Sequence, residues 1–163
     1  MSNNRTIFNT AAFVAACLVF TACGSSPPKP DKARMTFLAQ PIVNPDVKGR
    51  PSPIVVRVYQ LKTSDKYTGA DFFALFDDDQ KILGADMVGR EEVELNPGET
   101  REVLFAVSPD TKFVGVLAAF RDIRNSRWRV VQPAPKKGLL NLVKKDAIAI
   151  TIGRDTVELT IKD

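Results

Sequence analysis

The sequence has 163 residues, with 23 Lys and Arg against 19 Asp and Glu, for a formal net charge of +4. That length suits one ordinary domain, and so mild and scattered a charge does not build a nucleic-acid surface. Histidine is absent, which excludes Ser-His and Cys-His nucleophilic machinery and the usual imidazole ligands of zinc.

The first segment reads as an address. Arg5 supplies charge, Ala11–Phe20 is almost wholly apolar, and the small residues Thr21 and Ala22 lead into Cys23 and Gly24. This is the pattern the export machinery reads, and the apolar run is shorter than the roughly 20 residues a stable span needs. Residues 1–22 are therefore expected to be removed, which takes 163 residues to 141 and +4 to +3. Phe20-Thr21-Ala22-Cys23 resembles the bacterial lipobox, which implies a diacylglycerol thioether on Cys23, cleavage before it, and acylation of the new amine. Gly24 stands where Asp would favour inner-membrane retention, so the expected location is the periplasmic face of the outer membrane. With Cys17 removed and Cys23 acylated, no disulfide is expected, although the compartment permits one. Gly24–Lys32 (GSSPPKPDK) cannot join a helix or a sheet interior. Residues 23–32 are thus anchor and tether, with a reach of about 30 Å, and residues 33–163 form the domain.

Within the domain, Arg34–Ala39 reads as a first strand. Gln40–Pro53 follows, with four prolines and a glycine, and admits no regular element. Ile54–Leu61 (IVVRVYQL) is β-branched and aromatic, the clearest strand in the chain. Gly69–Leu83 changes to helical period, with Phe72, Phe73, Leu75 and Phe76 on one side, Asp71 in the first turn and Asp77-Asp78-Asp79 interrupting or ending it. Arg90–Leu95 and Thr100–Val107 flank the turn Asn96-Pro97-Gly98-Glu99 and read as a hairpin. Phe113–Phe120 is apolar on both faces, as in a central strand. Trp128–Val131 is a further strand, Pro133–Lys145 a loop with one helical turn, and Ala147–Ile152 with Thr156–Lys162 a last hairpin. About eight short strands divided by turn signals, with one helical insertion, predict an all-β two-sheet sandwich.

Few residues suggest chemistry. Asp77, Asp78 and Asp79 lack the spacing of a calcium loop and read as a solvated helix end. Glu91, Glu92 and Glu94 read as the wet face of an edge strand, where charge also blocks unwanted pairing. Arg57 and Arg121 stand in apolar strands, either facing solvent or paired with a buried Asp such as Asp122. Trp128 is either a plug at one sandwich end or a binding anchor. The loop Ile42–Pro53 is the most informative surface feature. Its prolines lower the entropy lost on docking, Ile42, Val43 and Val47 are apolar with no strand to bury them, and Asn44, Asp46, Lys48 and Arg50 offer polar contacts. It reads equally as a long connection or as a partner-binding loop.

Taken together, the lipobox, Asn44-Pro45-Asp46, the run Gly49-Arg50-Pro51-Ser52-Pro53 into Val55–Leu61, Ala70–Phe76, Leu95–Gly98, Val114–Asp122 and Trp128-Arg129 resemble the TssJ (SciN/VasD-type) lipoproteins of the type VI secretion system. The resemblance covers essentially all of the chain after the leader. It implies a transthyretin-like β-sandwich with a helical insertion after the second strand, and an outer-membrane lipoprotein with no enzymatic activity and no cofactor beyond the covalent lipid on Cys23. Its implied partner is the periplasmic C-terminal domain of TssM, with TssL reached indirectly. The implied contact is the loop between the first two strands, here Ile42, Val43, Asn44, Asp46, Val47, Lys48, Gly49 and Arg50. The competing reading is a periplasmic lipoprotein that binds a small molecule or glycan in a sandwich pocket, and a carboxylate enzyme is a distant third.

Overall fold

Alternation of apolar residues builds two sheets of four strands. The computed structural model describes residues 32–134 and 148–161. Eight strands lie among them: β1 (Lys32–Ala39), β2 (Ile54–Leu61), β3 (Met87–Leu95), β4 (Thr100–Ala106), β5 (Phe113–Ala118), β6 (Arg129–Pro133), β7 (Ile148–Ile152) and β8 (Val157–Ile161). One sheet has the order β4-β1-β7-β8 and the other β3-β2-β5-β6. All pairings are antiparallel except β1 with β7, which run parallel. The leader, Cys23 and the tether as far as residue 31 fall outside the described residues, as does the segment 135–147, while Lys32, expected in the tether, already pairs as the first residue of β1.

Every second residue points between the sheets. Met35, Phe37, Val56, Val58, Phe105, Val116, Ile148, Ile150, Ile152 and Leu159 fill that space. Each such side chain contributes roughly 1.5–3 kcal/mol on leaving water. The outer face of the β2–β5 sheet is apolar as well. There Tyr59, Leu61 and Leu117 meet Tyr67, Leu75 and Leu83 from the insertion between β2 and β3. This explains why β2 and β5 are apolar on both faces: helices cover the second one.

The insertion is two helices, α1 (Asp65–Gly69) and α2 (Phe72–Leu83), not one run from Gly69. Asp71 caps α2 by accepting from the Ala74 N–H at 3.0 Å, which satisfies one of the donors a helix start leaves orphaned. Starting there, Phe72, Leu75, Phe76, Asp79 and Leu83 turn inward at three- and four-residue steps, and Phe73 turns out, 62% exposed. That corrects the grouping of Phe73 with its neighbours. The Asp triplet does interrupt the helix, since Asp78 leaves helical geometry at φ −134°. Asp79, however, is not solvated. It is buried and accepts from Arg90 at 2.8 Å and from the Tyr59 hydroxyl at 3.2 Å, with Arg57 at 3.7 Å. Arg57 also donates to Glu92 at 2.6 Å and to the Phe76 carbonyl at 2.6 Å, and lies over the Phe76 ring. Of the two readings of Arg57, the buried ion pair is the observed one, with Asp79 and Glu92 as partners. Arg121 is exposed beyond the end of β5, which stops at Ala118, and the Asp122 carboxylate accepts from Asn125.

One further expectation changes. β3 and β4 do not pair as a hairpin, because the Asn96–Glu99 turn carries the chain from one sheet to the other. Glu99 accepts from the Asn96 backbone and from Arg101 through its carboxylate, and its own carbonyl accepts from the Ala39 N–H at 2.9 Å. These bonds hand β4 to β1 while β3 stays on β2 as an edge strand. Trp128 packs against both apolar clusters and meets the Phe72 ring edge-on, so it plugs one end of the sandwich. The β7–β8 hairpin is as expected.

These pairings sort the loops by pole. Leu38 lies beside Thr100, Ala39 beside Ile152, and Val56 beside Ala118. Residues 40–53, 96–99, 119–128 and 153–156 therefore gather at one pole. Lys32, where the chain enters β1 from the tether, lies at the other, beside Ala106.

Candidate functional site

At the loop pole, Asn44 does the joining. It holds φ +48°, a left-handed conformation that Asn tolerates better than most residues, and is only 4% exposed. Its backbone N–H donates to the Arg154 carbonyl at 3.1 Å. Its side-chain nitrogen donates to the Pro53 carbonyl at 2.7 Å, and its side-chain oxygen accepts from the Arg121 N–H at 2.7 Å. One residue thus ties the far end of its own loop and the β5–β6 loop through its side chain, and the β7–β8 turn through its backbone.

Beyond Asn44 the loop forms a self-contained tip. The Asp46 carboxylate accepts from the backbone N–H groups of Lys48 (2.8 Å) and Arg50 (2.9 Å) and from the Arg50 guanidinium at 2.7 Å. The Gly49 N–H donates to the Asp46 carbonyl at 2.8 Å, and the Asp46 N–H to the Arg50 carbonyl at 2.9 Å. Gly49 takes φ +78°, which only glycine adopts without cost. The backbone bond from Arg50, then its guanidinium, hold the Asp46 carboxyl below the usual carboxylate range. The tip is rigid because its polar groups are spent on itself.

The expected contact residues divide accordingly. Val43 and Asn44 are buried, Asp46 and Gly49 shape the tip, and Ile42 (51% exposed), Val47 (fully exposed), Lys48 and Arg50 face solvent. Beside the tip runs a groove of about 490 Å³ lined by Asn44–Val47, Phe120, Arg121, Asp122, Asn125, Arg154 and Asp155. The sequence reading singled out the first of these segments and missed the other two as site residues. The signal for them was the polar stretch Arg121–Asn125 directly after an apolar strand, and the Gly153-Arg154-Asp155 turn, which strand pairing brings to the same pole. No group of three or more metal-ligating side chains occurs among the described residues, and no helix among them is long and apolar enough to cross a membrane.

Residues 31–155 match the model of the T6SS-SciN family, the type VI secretion lipoproteins VasD, EvfM and TssJ. The chain belongs to this family of type VI secretion lipoproteins. Its solved relatives agree. The lipoprotein TssJ1 of Pseudomonas aeruginosa is 31% identical with a TM-score of 0.71, over 82% of this chain and 98% of that one. A chain of a type VI membrane complex is 29% identical with a TM-score of 0.69, over 80% and 98%. A chain from a structure of the TssM C-terminal domain from EAEC is 28% identical with a TM-score of 0.61, over 78% and 96%. No curated protein matches the chain significantly. The family is one of structural secretion lipoproteins, not of enzymes.

Proposed function

We propose that this protein is the outer-membrane-anchored lipoprotein of a type VI secretion membrane complex, held by a lipid on Cys23 and docked on the periplasmic C-terminal domain of TssM, through which it reaches TssL. The observation that carries this reading is the polarity of the domain. The tether enters β1 at one pole, and the rigid tip Asp46–Arg50 stands at the other. Eight strand residues set the poles about 26 Å apart, and the tether adds up to about 30 Å, so the tip faces away from the anchoring membrane. Relatives in a type VI membrane complex and in a TssM structure support this choice of partner.

Val47 and Lys48 are exposed, and the Lys48 side chain makes no hydrogen bond or ion pair among the described residues. Val47→Glu with Lys48→Glu should therefore abolish co-purification with the TssM periplasmic domain while leaving the melting temperature unchanged. Unimpaired co-purification would remove the tip from the interface. Cys23→Ser should shift the protein out of the outer-membrane fraction and stop secretion, and unimpaired secretion would count against anchoring.

The pocket-binding alternative has less support, since apolar side chains fill the space between the sheets.

A further inference from the structure

The groove beside the tip carries an uneven distribution of charge. Two of its three carboxylates are already engaged: Asp46 by Arg50 and two backbone N–H groups, and Asp122 by the Asn125 amide at 2.9 and 3.1 Å. Its two guanidiniums make no hydrogen bond or ion pair among the described residues, although the charge of Arg121 adds a minor pull on the Asp46 carboxyl. Arg121 and Arg154 line the groove, both are exposed, and neither has a carboxylate within 4.0 Å among the described residues, where six other arginines do: Arg34, Arg50, Arg57, Arg90, Arg101 and Arg127.

The backbones of these two arginines are held in place. The Arg121 N–H donates to the Asn44 side chain, and the Arg154 carbonyl accepts from the Asn44 N–H. One buried residue therefore fixes the backbone at the roots of both side chains. Two arginines rooted on a common support are pre-organised for an anion, because the fork of a guanidinium matches a carboxylate in a two-point contact. Beside them Phe120 and Val47 line the groove with apolar surface. Asp155, the third carboxylate, has no side-chain partner among the described residues and disfavours a uniformly acidic occupant.

We propose that Arg121 and Arg154 form a carboxylate clamp, in which the groove receives a segment of the docking partner bearing an Asp or Glu side chain next to an apolar one. This rests on the docking assignment above and adds to it the chemistry of what is docked. The tip supplies apolar and shape contact, and the clamp supplies charge complementarity and register.

The test is a titration of the full-length lipoprotein in detergent with the TssM periplasmic C-terminal domain at low and at high NaCl. Arg121→Glu and Arg154→Glu should each weaken binding by about tenfold or more. The wild-type affinity should fall with salt, and the double reversal should flatten that dependence. Arg121→Lys with Arg154→Lys should keep the salt dependence, because the charge remains. Melting curves should be unchanged in all of these, since only the backbones of the two residues take part in the fold. If Val47→Glu abolishes binding while both reversals leave it within about threefold, docking stands and the clamp is wrong. A loss in the reversals that does not depend on salt also overturns the clamp. If Val47→Glu and both reversals all bind like wild type, the docking assignment itself fails.

Discussion

Two buried polar constructions hold this domain together, and they are made differently. On the outer face of the β2–β5 sheet, Arg57, Arg90, Asp79 and Glu92 clamp the helical insertion with ions. At the loop pole, a single neutral residue, Asn44, holds three chain segments, two through its side-chain amide and one through its backbone N–H. The ionic cluster is redundant. Arg57 has Glu92 and the Phe76 carbonyl as well as Asp79, and Asp79 has Arg90 and Tyr59 as well as Arg57. Desolvation works to lower the Arg57 pKa, yet the hydrogen bond to Glu92 and its charge leave it raised. The amide is not redundant, since each of its atoms has one partner. Redundancy suits a helix that must stay covered. A single joint suits loops whose relative placement is what a partner would read.

Breaking each construction should therefore give different phenotypes. Asp79→Ala removes the anion between two arginines and leaves the buried Tyr59 hydroxyl without its partner. Loss of one member of a buried charge network costs about 3 kcal/mol, and a lowered chemical-denaturation midpoint would report it. Binding to the TssM domain should survive at temperatures where the variant stays folded. Asn44→Ala should cost less, about 2 kcal/mol, by orphaning the Pro53 carbonyl and the Arg121 N–H and by putting Ala, which tolerates the left-handed region less well than Asn, at φ +48°. Asn44→Gly should recover the φ part only. Both should weaken TssM binding even though Asn44 itself is almost wholly buried. If Asp79→Ala lost binding and Asn44→Ala did not, the division of labour drawn above would be wrong.

The same contrast explains what could be read in advance. Strands with strict alternation, such as Ile148-Ile150-Ile152 and Val157-Leu159, are legible because burial on one face dictates every second residue. The doubly apolar β2 and β5 signal their central place, and the period change at Phe72 signals the helix that covers one of their faces. Sheet membership of β4 is not legible. Asn96-Pro97-Gly98-Glu99 has the composition of a hairpin turn, and only the long-range bonds of Glu99 and Gly98 to Ala39 and Gln40 make it a corner between sheets. The fate of Asp79 is hidden for a related reason. Its partners Tyr59 and Arg90 are 20 and 11 residues away, and nothing local separates it from its solvated neighbours Asp77 and Asp78. In the loop, apolar Ile42 and Val47 mark the segment as unusual from sequence alone, but the placement of Asn44, Arg121 and Arg154 depends on three loops meeting.

Alkaline pH should affect the helical side before the loop pole. Burial pushes the Tyr59 phenol up to about 12, and burial pushes Tyr67 well above its ordinary range. Each tyrosine holds its proton longer in the folded chain than in the unfolded one. The contribution of Tyr59 is therefore complete below pH 10 and is lost as the pH rises through about 12, and that of Tyr67 is lost in the same direction. A pH series of denaturation midpoints should turn down above pH 10, with Tyr59→Phe reducing the slope. The loop tip should show its own dependence at the opposite end of the scale. The lowered Asp46 carboxyl stabilises the tip above the ordinary carboxylate range, and that contribution is lost as the pH falls through the folded value. Amide exchange at Lys48 and Arg50 should accelerate there while exchange at Tyr59 does not.

The smallest effect is expected where the geometry looks most demanding. Tyr67 packs so closely on β5 that a Cβ at Gly115 would sit 2.9 Å from its ring, yet its buried hydroxyl has no hydrogen-bond partner among the described residues. The ring fills space against Tyr59, Leu75 and Leu117, while the hydroxyl brings a desolvation cost without a bond to offset it. Tyr67→Phe keeps the ring and removes the cost, so stability should change by less than about 1 kcal/mol, in the stabilising direction. Gly115→Ala, which presses on the same ring, should instead destabilise by about 1–3 kcal/mol. A Tyr67→Phe variant that lost several kcal/mol would mean that the hydroxyl is bonded in solution, and the helical side would then share with the loop pole a polar joint that cannot be spared.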